Sequence, residues 1–369
     1  MSDRSGLDDT EQKASIVWTV SQHSDFCFVH AADLHLGGRR WLRSVPKDAS
    51  FAERIRDADL LALHALVDLC LAEGAQLLLC VGDIIDGWCR DHRVGLVFVK
   101  ELLRLRDAGC EVALLLGNHD VRTRVMRPLL LPEHAHVLGA RGPETSRLDQ
   151  LGVALHAWSC PATHPGVDVA SLYPPPLPGL LNIGLLHTSA EGRRGHVAYA
   201  PCSRRTLRRH GYDYWALGHV HAREVIARQP WIVFPGNLQG RGSREAGSKG
   251  ATLVQVRGGR IASAEHRALD AVRFGTVLAN TSSLQHFDDV LAIAKESLDR
   301  ALQEAEGRPL VARLILAGID GAARTLAVPL RARREALAEL TRGSCSELWL
   351  DEAWIEIGGV GAWRIDAAA

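Results

Sequence analysis

From Phe26 onward, short continuous apolar runs alternate with longer segments in which apolar residues recur at helical spacing. The runs are Phe26 to Ala31, Leu77 to Val81 and Val112 to Leu116, the pattern of strands buried on both faces. Between them, Phe51 to Glu73 carries Leu60, Leu63, Leu66, Val67 and Leu71 at helical spacing, and Arg93 to Asp107 supplies a second helix. Two successive βαβ units predict a mostly parallel sheet covered on both faces. After Leu180, short strands separated by Gly and Pro take over: Leu181 to Leu186, Tyr214 to Leu217, Trp231 to Phe234, Ala251 to Val256 and Arg260 to Glu265. They predict a second sheet packed on the first, with Tyr173 to Pro178 as an ordered surface loop.

Beyond Ala268 a new cycle is expected: a strand over Arg273 to Ala279, a helix over Asp288 to Glu306, a strand over Leu310 to Leu316, a helix over Arg331 to Thr341 and a strand over Glu347 to Ile357. Asp288 and Asp289 suit a helix N-terminus, and Gly307 suits the position just past its end. The expected organisation is a polar, flexible tail over residues 1–25 with no assigned function, a two-sheet α/β unit over 26–270, and a small α/β capping or partner-contact domain over 271–369.

Composition narrows the function classes. With 47% hydrophobic and 23% charged residues the chain has the make-up of a globular protein and not of a disordered one. Its formal net charge of zero excludes a polycation that holds nucleic acid along its whole surface, so any such site is local. The eight cysteines are scattered without a CxxC pair and read as reduced core thiols. Neither a secretory leader nor an 18-residue apolar stretch occurs, and the expected setting is the cytoplasm, away from membranes.

The chemistry-bearing residues fall directly behind predicted strands: Asp33-Leu34-His35, Gly82-Asp83-Ile84-Ile85-Asp86, Gly117-Asn118-His119-Asp120, His187, and Gly218-His219-Val220-His221. Loops at the carboxyl ends of parallel strands converge on ligand sites. A lone DxH tripeptide says little, whereas five elements in order with Gly at the sharp turns do not arise from scattered core histidines. In an extended segment residues i and i+2 point the same way, so Asp33 and His35 are expected to grip one metal together. Carboxylate, amide and imidazole donors without thiolate suit two divalent ions, manganese, magnesium, iron or zinc, among which ligand type does not choose; manganese is the expected pair.

These residues carry a resemblance. The segments FVHAADLHLG from Phe28 to Gly37, GDIIDG, GNHD, and the run from Ile183 that includes GHVAYAPCS, GYDYWALGHVHAREV and WIVFPGNLQGR resemble calcineurin-like metallophosphoesterases, specifically the SbcD-type DNA-repair exonuclease branch and its YhaO-type bacterial subgroup. The resemblance covers about residues 26 to 270 and implies a two-sheet metallophosphoesterase sandwich flanked by helices. It implies that Asp33, His35 and His221 bind one metal, that Asn118, His187 and His219 bind the other, and that Asp83 bridges them. It further implies attack by a hydroxide bridging the metals, His119 as the residue protonating the leaving oxygen, Asp86 as its orienting partner, a homodimer, and work on DNA beside an SbcC-type coiled-coil ATPase. Leu34 stands where many relatives carry an aromatic residue.

Other residues are expected to be structural. His30, His64, His134, His136 and His156 read as hydrogen-bonded interior histidines, Asp120 as the start of the segment behind its loop, and Trp88 and Cys89 as packing beneath the metal loop. Between Ala190 and Gly250, eleven Lys and Arg stand against four acids, a local excess beside the metal motifs. Arg204, Arg205, Arg208, Arg209 and His196 are accordingly the candidate substrate contacts. Two other functions share the same residues: a phosphoesterase for a small phosphodiester or a phosphoprotein, and a non-catalytic DNA-binding or scaffold subunit. A pocket closed by the C-terminal domain favours the first, and the complete ligand set argues against the second.

Overall fold

The computed structural model describes residues 25–38, 42, 48–159, 167–190, 199–282, 284, 286–317, 335–336, 339–340, 347–357 and 361–365. The elements are β1 (Phe26–Ala31), α1 (Ala49–Arg56), α2 (Ala58–Ala72), β2 (Leu77–Val81), α3 (His92–Asp107), β3 (Glu111–Leu115), β4 (Ala135–Val137), β5 (Glu144–Leu148), β6 (Val153–Ala157), β7 (Leu181–His187) and α4 (Arg204–Arg209). They continue as β8 (Tyr214–Gly218), β9 (Glu224–Arg228), β10 (Trp231–Phe234), β11 (Gly250–Arg257), β12 (Arg260–Ala268), β13 (Arg273–Asn280), α5 (Phe287–Gln303), β14 (Leu310–Ala317), β15 (Leu348–Ile357) and β16 (Gly361–Ile365).

Among the described residues the strands form a sheet in the order β12-β11-β1-β2-β3-β4, a second in the order β5-β6-β7-β8-β10-β9, and a third in the order β13-β14-β15-β16. The two-residue period of β1 and β2 builds both faces of the first sheet. Val29 lies opposite Leu78, and Leu78 opposite Val112, in a row that packs against Ala62, Leu66 and Phe98 of the helices. Phe28, Leu77 and Leu79 point the other way, onto Leu155, Ile183 and Tyr214 of the second sheet. The two-sheet sandwich flanked by helices is therefore present, and the parallel strands β1, β2, β3, β7 and β8 end where the site is built.

Some expectations require correction. The strands at 251–256 and 260–265 do not join the second sheet: β11 pairs antiparallel with β1 and extends the first. Ala251 and Leu253 face the helices while Val254 and Val256 face the inter-sheet core, so β11 continues the face pattern of β1, which local composition could not assign to either sheet. The helix expected over Phe51 to Glu73 divides at Asp57. Phe51, Ile55 and Ala58 turn toward Val272 and toward Phe274 and Val311 of the third sheet, whereas the later turns pack on the first sheet. Strands β4, β5, β6, β9 and β16 were not foreseen; β5 is short and largely polar.

The third sheet is parallel from β13 to β15, and Val290, Ala294 and Leu298 of α5 cover it. Its helix ends at Gln303, earlier than expected, and the left-handed turn lies at Glu306 and Gly307. Gly307 is thus not the first residue past the helix. Gln239 joins this part to the rest by accepting from the Ala271 and Val272 N–H groups and donating to the Val272 carbonyl. The Tyr173 to Pro178 loop is ordered, with the Pro174 carbonyl accepting from Tyr212 Oη. The tail over 1–24 and most of the helix expected over Arg331 to Thr341 lie outside the described residues.

Candidate metal centre

Asp33 follows β1, Asp83 follows β2, Asn118 follows β3, His187 ends β7 and His219 follows β8. Asp33, His35, Asp83 and His219 all have positive φ, at 52°, 45°, 53° and 94°. This corrects the extended reading of Asp33 to His35: left-handed turns at both residues, not strand alternation, bring their side chains together. Backbone strain of this kind persists only where the surroundings over-determine it, and it concentrates at functional sites. Two glycines are obligatory for close approach. A Cβ on Gly82 would overlap His187 Nδ1, and one on Gly117 would overlap Asp83 Oδ1.

Three donor sets form around these turns, one of them His35, Asp86 and His119 at the rim. Asp33, His35 and His221 present ligand atoms within 4.8 Å of one another, as do Asp83, His187 and His219. Asp83 Oδ2 lies between them, 3.8 Å from His35 Nε2 and 3.5 Å from His187 Nε2. Hydrogen bonds fix the free nitrogens. His187 Nδ1 donates to the Val81 carbonyl, which leaves the buried Nε2 without a hydrogen-bond partner. Burial opposes ionisation of Asp83, yet the nearby histidine charges outweigh it and hold its carboxyl well below the usual range. Burial likewise opposes a charge on His187, but the Asp83 and Asp33 carboxylates push its pKa up to about 9.

The residues fit a pair of cations. His35 Nε2 and His221 Nε2 face each other at 3.2 Å, and Asn118 Oδ1 is buried without a hydrogen-bond partner. Converging lone pairs, an orphaned amide oxygen and two buried carboxylates are what bound divalent metal satisfies.

His119 stands at the rim. Its Nδ1 accepts from the Gly87 N–H at 3.1 Å, which leaves the proton of the neutral ring on Nε2, 4.0 Å from Asp83 Oδ2. Asp86 does not serve His119 alone, as its Oδ2 lies 3.5 Å from His119 Nδ1, 3.3 Å from His35 Nδ1 and 3.6 Å from Arg241 Nη1. The two contacts at Nδ1 belong to different protonation states: the neutral ring accepts from Gly87, whereas the protonated ring turns its Nδ1–H to the Asp86 carboxylate, which raises the His119 pKa. Asp120 is structural, though not as a segment start: it is buried and accepts from the Ile84, Ile85 and Gly117 N–H groups, clamping two metal loops together.

The sequence reading missed Arg241 and Glu245. Arg241 entered only as part of a charge count, yet its guanidinium reaches Asp86 and Glu245 within the cluster. Glu245 Oε1 lies 2.8 Å from His221 Nδ1, and its Oε2 accepts from the Arg241 N–H and Asn237 Nδ2. The only signal available was their place in and just behind the NLQGR segment.

The foreseen substrate arginines stand on α4, between β7 and β8, with Leu207 buried beneath it. Arg205, Arg208 and Arg209 are exposed, while Arg204 pairs with Glu224 at 3.6 Å. His196 lies outside the described residues. Trp88 does not pack beneath the metal loop: it is 76% exposed, and Cys89 alone is buried there. His30 and His156 are interior, but His136 is exposed, His64 is half-exposed beside Glu101, and neither ring nitrogen of His134 has a hydrogen-bond partner. Leu34 is core. Cys27, Cys70, Cys80, Cys89, Cys110 and Cys202 are buried free thiols.

Residues 27–223 match the calcineurin-like phosphoesterase family. The chain belongs to that family. Residues 274–357 match the middle domain of metallophosphoesterase YhaO, and the chain is 30% identical over 299 residues to YhaO of Bacillus subtilis, covering 80% of this chain and 72% of that protein. It is 24% identical over 276 residues to the DNA double-strand break repair protein Mre11 of Sulfurisphaera tokodaii, covering 70% of this chain and 66% of that one. Among solved structures, a dimetal phosphatase from Danio rerio matches with a TM-score of 0.39 and 12% identity, over 63% of this chain and 92% of that one. As a calcineurin-like phosphoesterase the chain is a metal-dependent phosphoester hydrolase of a family that uses a dimetal centre, and the donor sets are candidates to hold it. No helix among the described residues is long and apolar enough to cross a membrane.

Proposed function

We propose that this phosphoesterase is a phosphodiesterase of the SbcD-type nuclease branch that acts on DNA in repair, as a cytoplasmic homodimer with an SbcC-type coiled-coil ATPase. The observation that carries the chemistry is Asp83 Oδ2, set between His35 Nε2 at 3.8 Å and His187 Nε2 at 3.5 Å. Two divalent cations, manganese in this reading, held by Asp33, His35, Asp83 and His221 and by Asp83, Asn118, His187 and His219, supply a nucleophile at neutral pH and relief of phosphate charge. Arg241 orients the phosphate from the rim, where its guanidinium is already positioned by Glu245. His119, protonated with its Nδ1–H turned to Asp86, gives its Nε2 proton to the leaving oxygen and is left neutral. The similarity to an archaeal DNA double-strand break repair protein and the exposed Arg205, Arg208 and Arg209 support DNA as substrate. End-labelled single- and double-stranded DNA, incubated with the protein and manganese beside a chromogenic diester, tests it. Turnover of the diester with both DNAs intact would remove DNA from the reading and leave the phosphodiesterase.

A further inference from the structure

A cavity of about 570 Å³ opens between the turn at Gly242 to Glu245 and the third sheet, lined by Ser243, Arg244, Glu245, Arg313, Glu352 and Trp354. Its volume is that of a small-molecule site. It adjoins the metal centre through one side chain, since Glu245 lines it and also contacts His221 Nδ1 at 2.8 Å. The Arg313 guanidinium lies over the Trp354 indole at 4.8 Å, a flat cationic and aromatic platform. Two buried N–H groups at this platform, Arg313 Nε and Trp354 Nε1, have no hydrogen-bond partner among the described residues. Glu352 Oε1 is 3.4 Å from Arg313 Nε but is engaged by Ser243 Oγ at 2.8 Å.

We infer that this cavity is a nucleoside subsite, which holds the nucleoside attached to the phosphate at the metal centre. The inference rests on the phosphodiesterase reading and names its substrate class. A nucleobase has the flat face that an arginine and indole platform stacks, and the sugar beside it brings hydroxyl and ring oxygens that can accept from N–H groups at the platform's edge. An inorganic anion would leave the indole unused and would meet the carboxylates of Glu245 and Glu352. An apolar ligand would bury the same charged groups without compensation. Sharing Glu245 with the centre sets the cavity beside the phosphate, and Arg244 stands exposed at its mouth for the next one.

The test compares two diesters that release the same chromophore, thymidine 5′-(p-nitrophenyl phosphate) and methyl p-nitrophenyl phosphate, in full-length protein with manganese. The parent should favour the thymidine ester by about tenfold or more in kcat/KM, the scale of a base stacked on an aromatic ring. Trp354→Ala and Arg313→Ala should remove that preference through KM and leave the methyl ester unchanged, and Trp354→Phe should restore most of it. Calorimetric binding of thymidine 5′-monophosphate to protein in chelator should follow the same order, which reads the cavity without chemistry. Equal turnover of both esters by the parent, or an undiminished preference in both alanine variants, overturns the subsite. If neither ester is hydrolysed but mononucleotide binding depends on Trp354 and Arg313, the subsite stands and the phosphodiesterase reading falls. If neither turnover nor binding is found, both fall.

Discussion

Glu245 Oε1 sits 2.8 Å from His221 Nδ1, and because the carboxylate can only accept, that nitrogen carries the proton and the lone pair of Nε2 faces His35. A partner that fixes a metal-binding histidine this way sets both its tautomer and its basicity. Glu245→Ala should weaken metal binding about 10- to 100-fold, with Glu245→Gln intermediate. Metal titration of the purified variants measures it, and unchanged affinity in Glu245→Ala would show that His221 is held by other contacts.

Asp83 approaches both donor sets, whereas His221 belongs to one. Asp83→Ala is expected to deplete both cations and His221→Ala mainly one, read by metal analysis after dialysis. Full occupancy in Asp83→Ala contradicts a bridging role.

His119 shares a donor group with His35 and Asp86 but not with Asp33 or Asp83, and it is only half-buried at the rim, so it should be needed for turnover and not for metal. His119→Ala should lose about 100-fold or more in kcat with metal content intact, and Asp86→Asn should lose activity while also loosening metal, since Asp86 faces His35 as well. Release of metal by His119→Ala would reassign it as a ligand.

The exposed arginines of α4 and the buried-edge Arg241 should separate by assay. Neutralising Arg205, Arg208 and Arg209 together should weaken DNA binding and flatten its salt dependence without affecting a small diester. Arg241→Ala should slow both substrates, because it stands beside Asp86 at the centre itself. A salt series of DNA binding with parallel diester kinetics decides between them, and an unaltered salt slope in the triple variant would make α4 an ordinary solvated helix.

His30 is fully buried with Nδ1 3.0 Å from Tyr214 Oη, and burial lowers its pKa from 6.5 to about 3. The ring is neutral in the fold but takes a proton in the unfolded chain below pH 6.5. Its contribution is therefore present above pH 6.5 and lost as pH falls toward 3, at up to about 1.4 kcal/mol per pH unit. His30→Gln, which has no such proton to bind, should lose about 2 kcal/mol less stability than the parent between pH 6.5 and 5 in urea denaturation. Parallel losses would locate the proton uptake at another group.

The order of the site was legible because its chemistry is local: each motif couples a glycine turn to a polar side chain just past a strand, and strand runs such as Leu77 to Val81 are continuous in apolar character. The same locality explains the failures. Nothing in the Ala251 to Val256 run says whether β1 or β10 is its neighbour, because pairing depends on which sheet edge is free once the chain has folded. Trp88 looks like core by residue type and is exposed, since its loop is anchored through backbone bonds to Asp86 and not through the indole.

By itself the sequence determined the phosphoesterase sandwich, the candidate ligands and the absence of any chain-wide cationic surface, all properties carried by residue type and short spacing. Tertiary structure decided how those residues meet. The clamp of Asp120 on two loops, Glu245 on His221, Arg241 beside Asp86 and the His219 N–H on Asp33 join residues up to 186 apart, and left-handed turns at Asp33 and His35 aim their side chains. Such contacts arise only when parallel strands end together and water is excluded between them, and no period or motif along the chain records them.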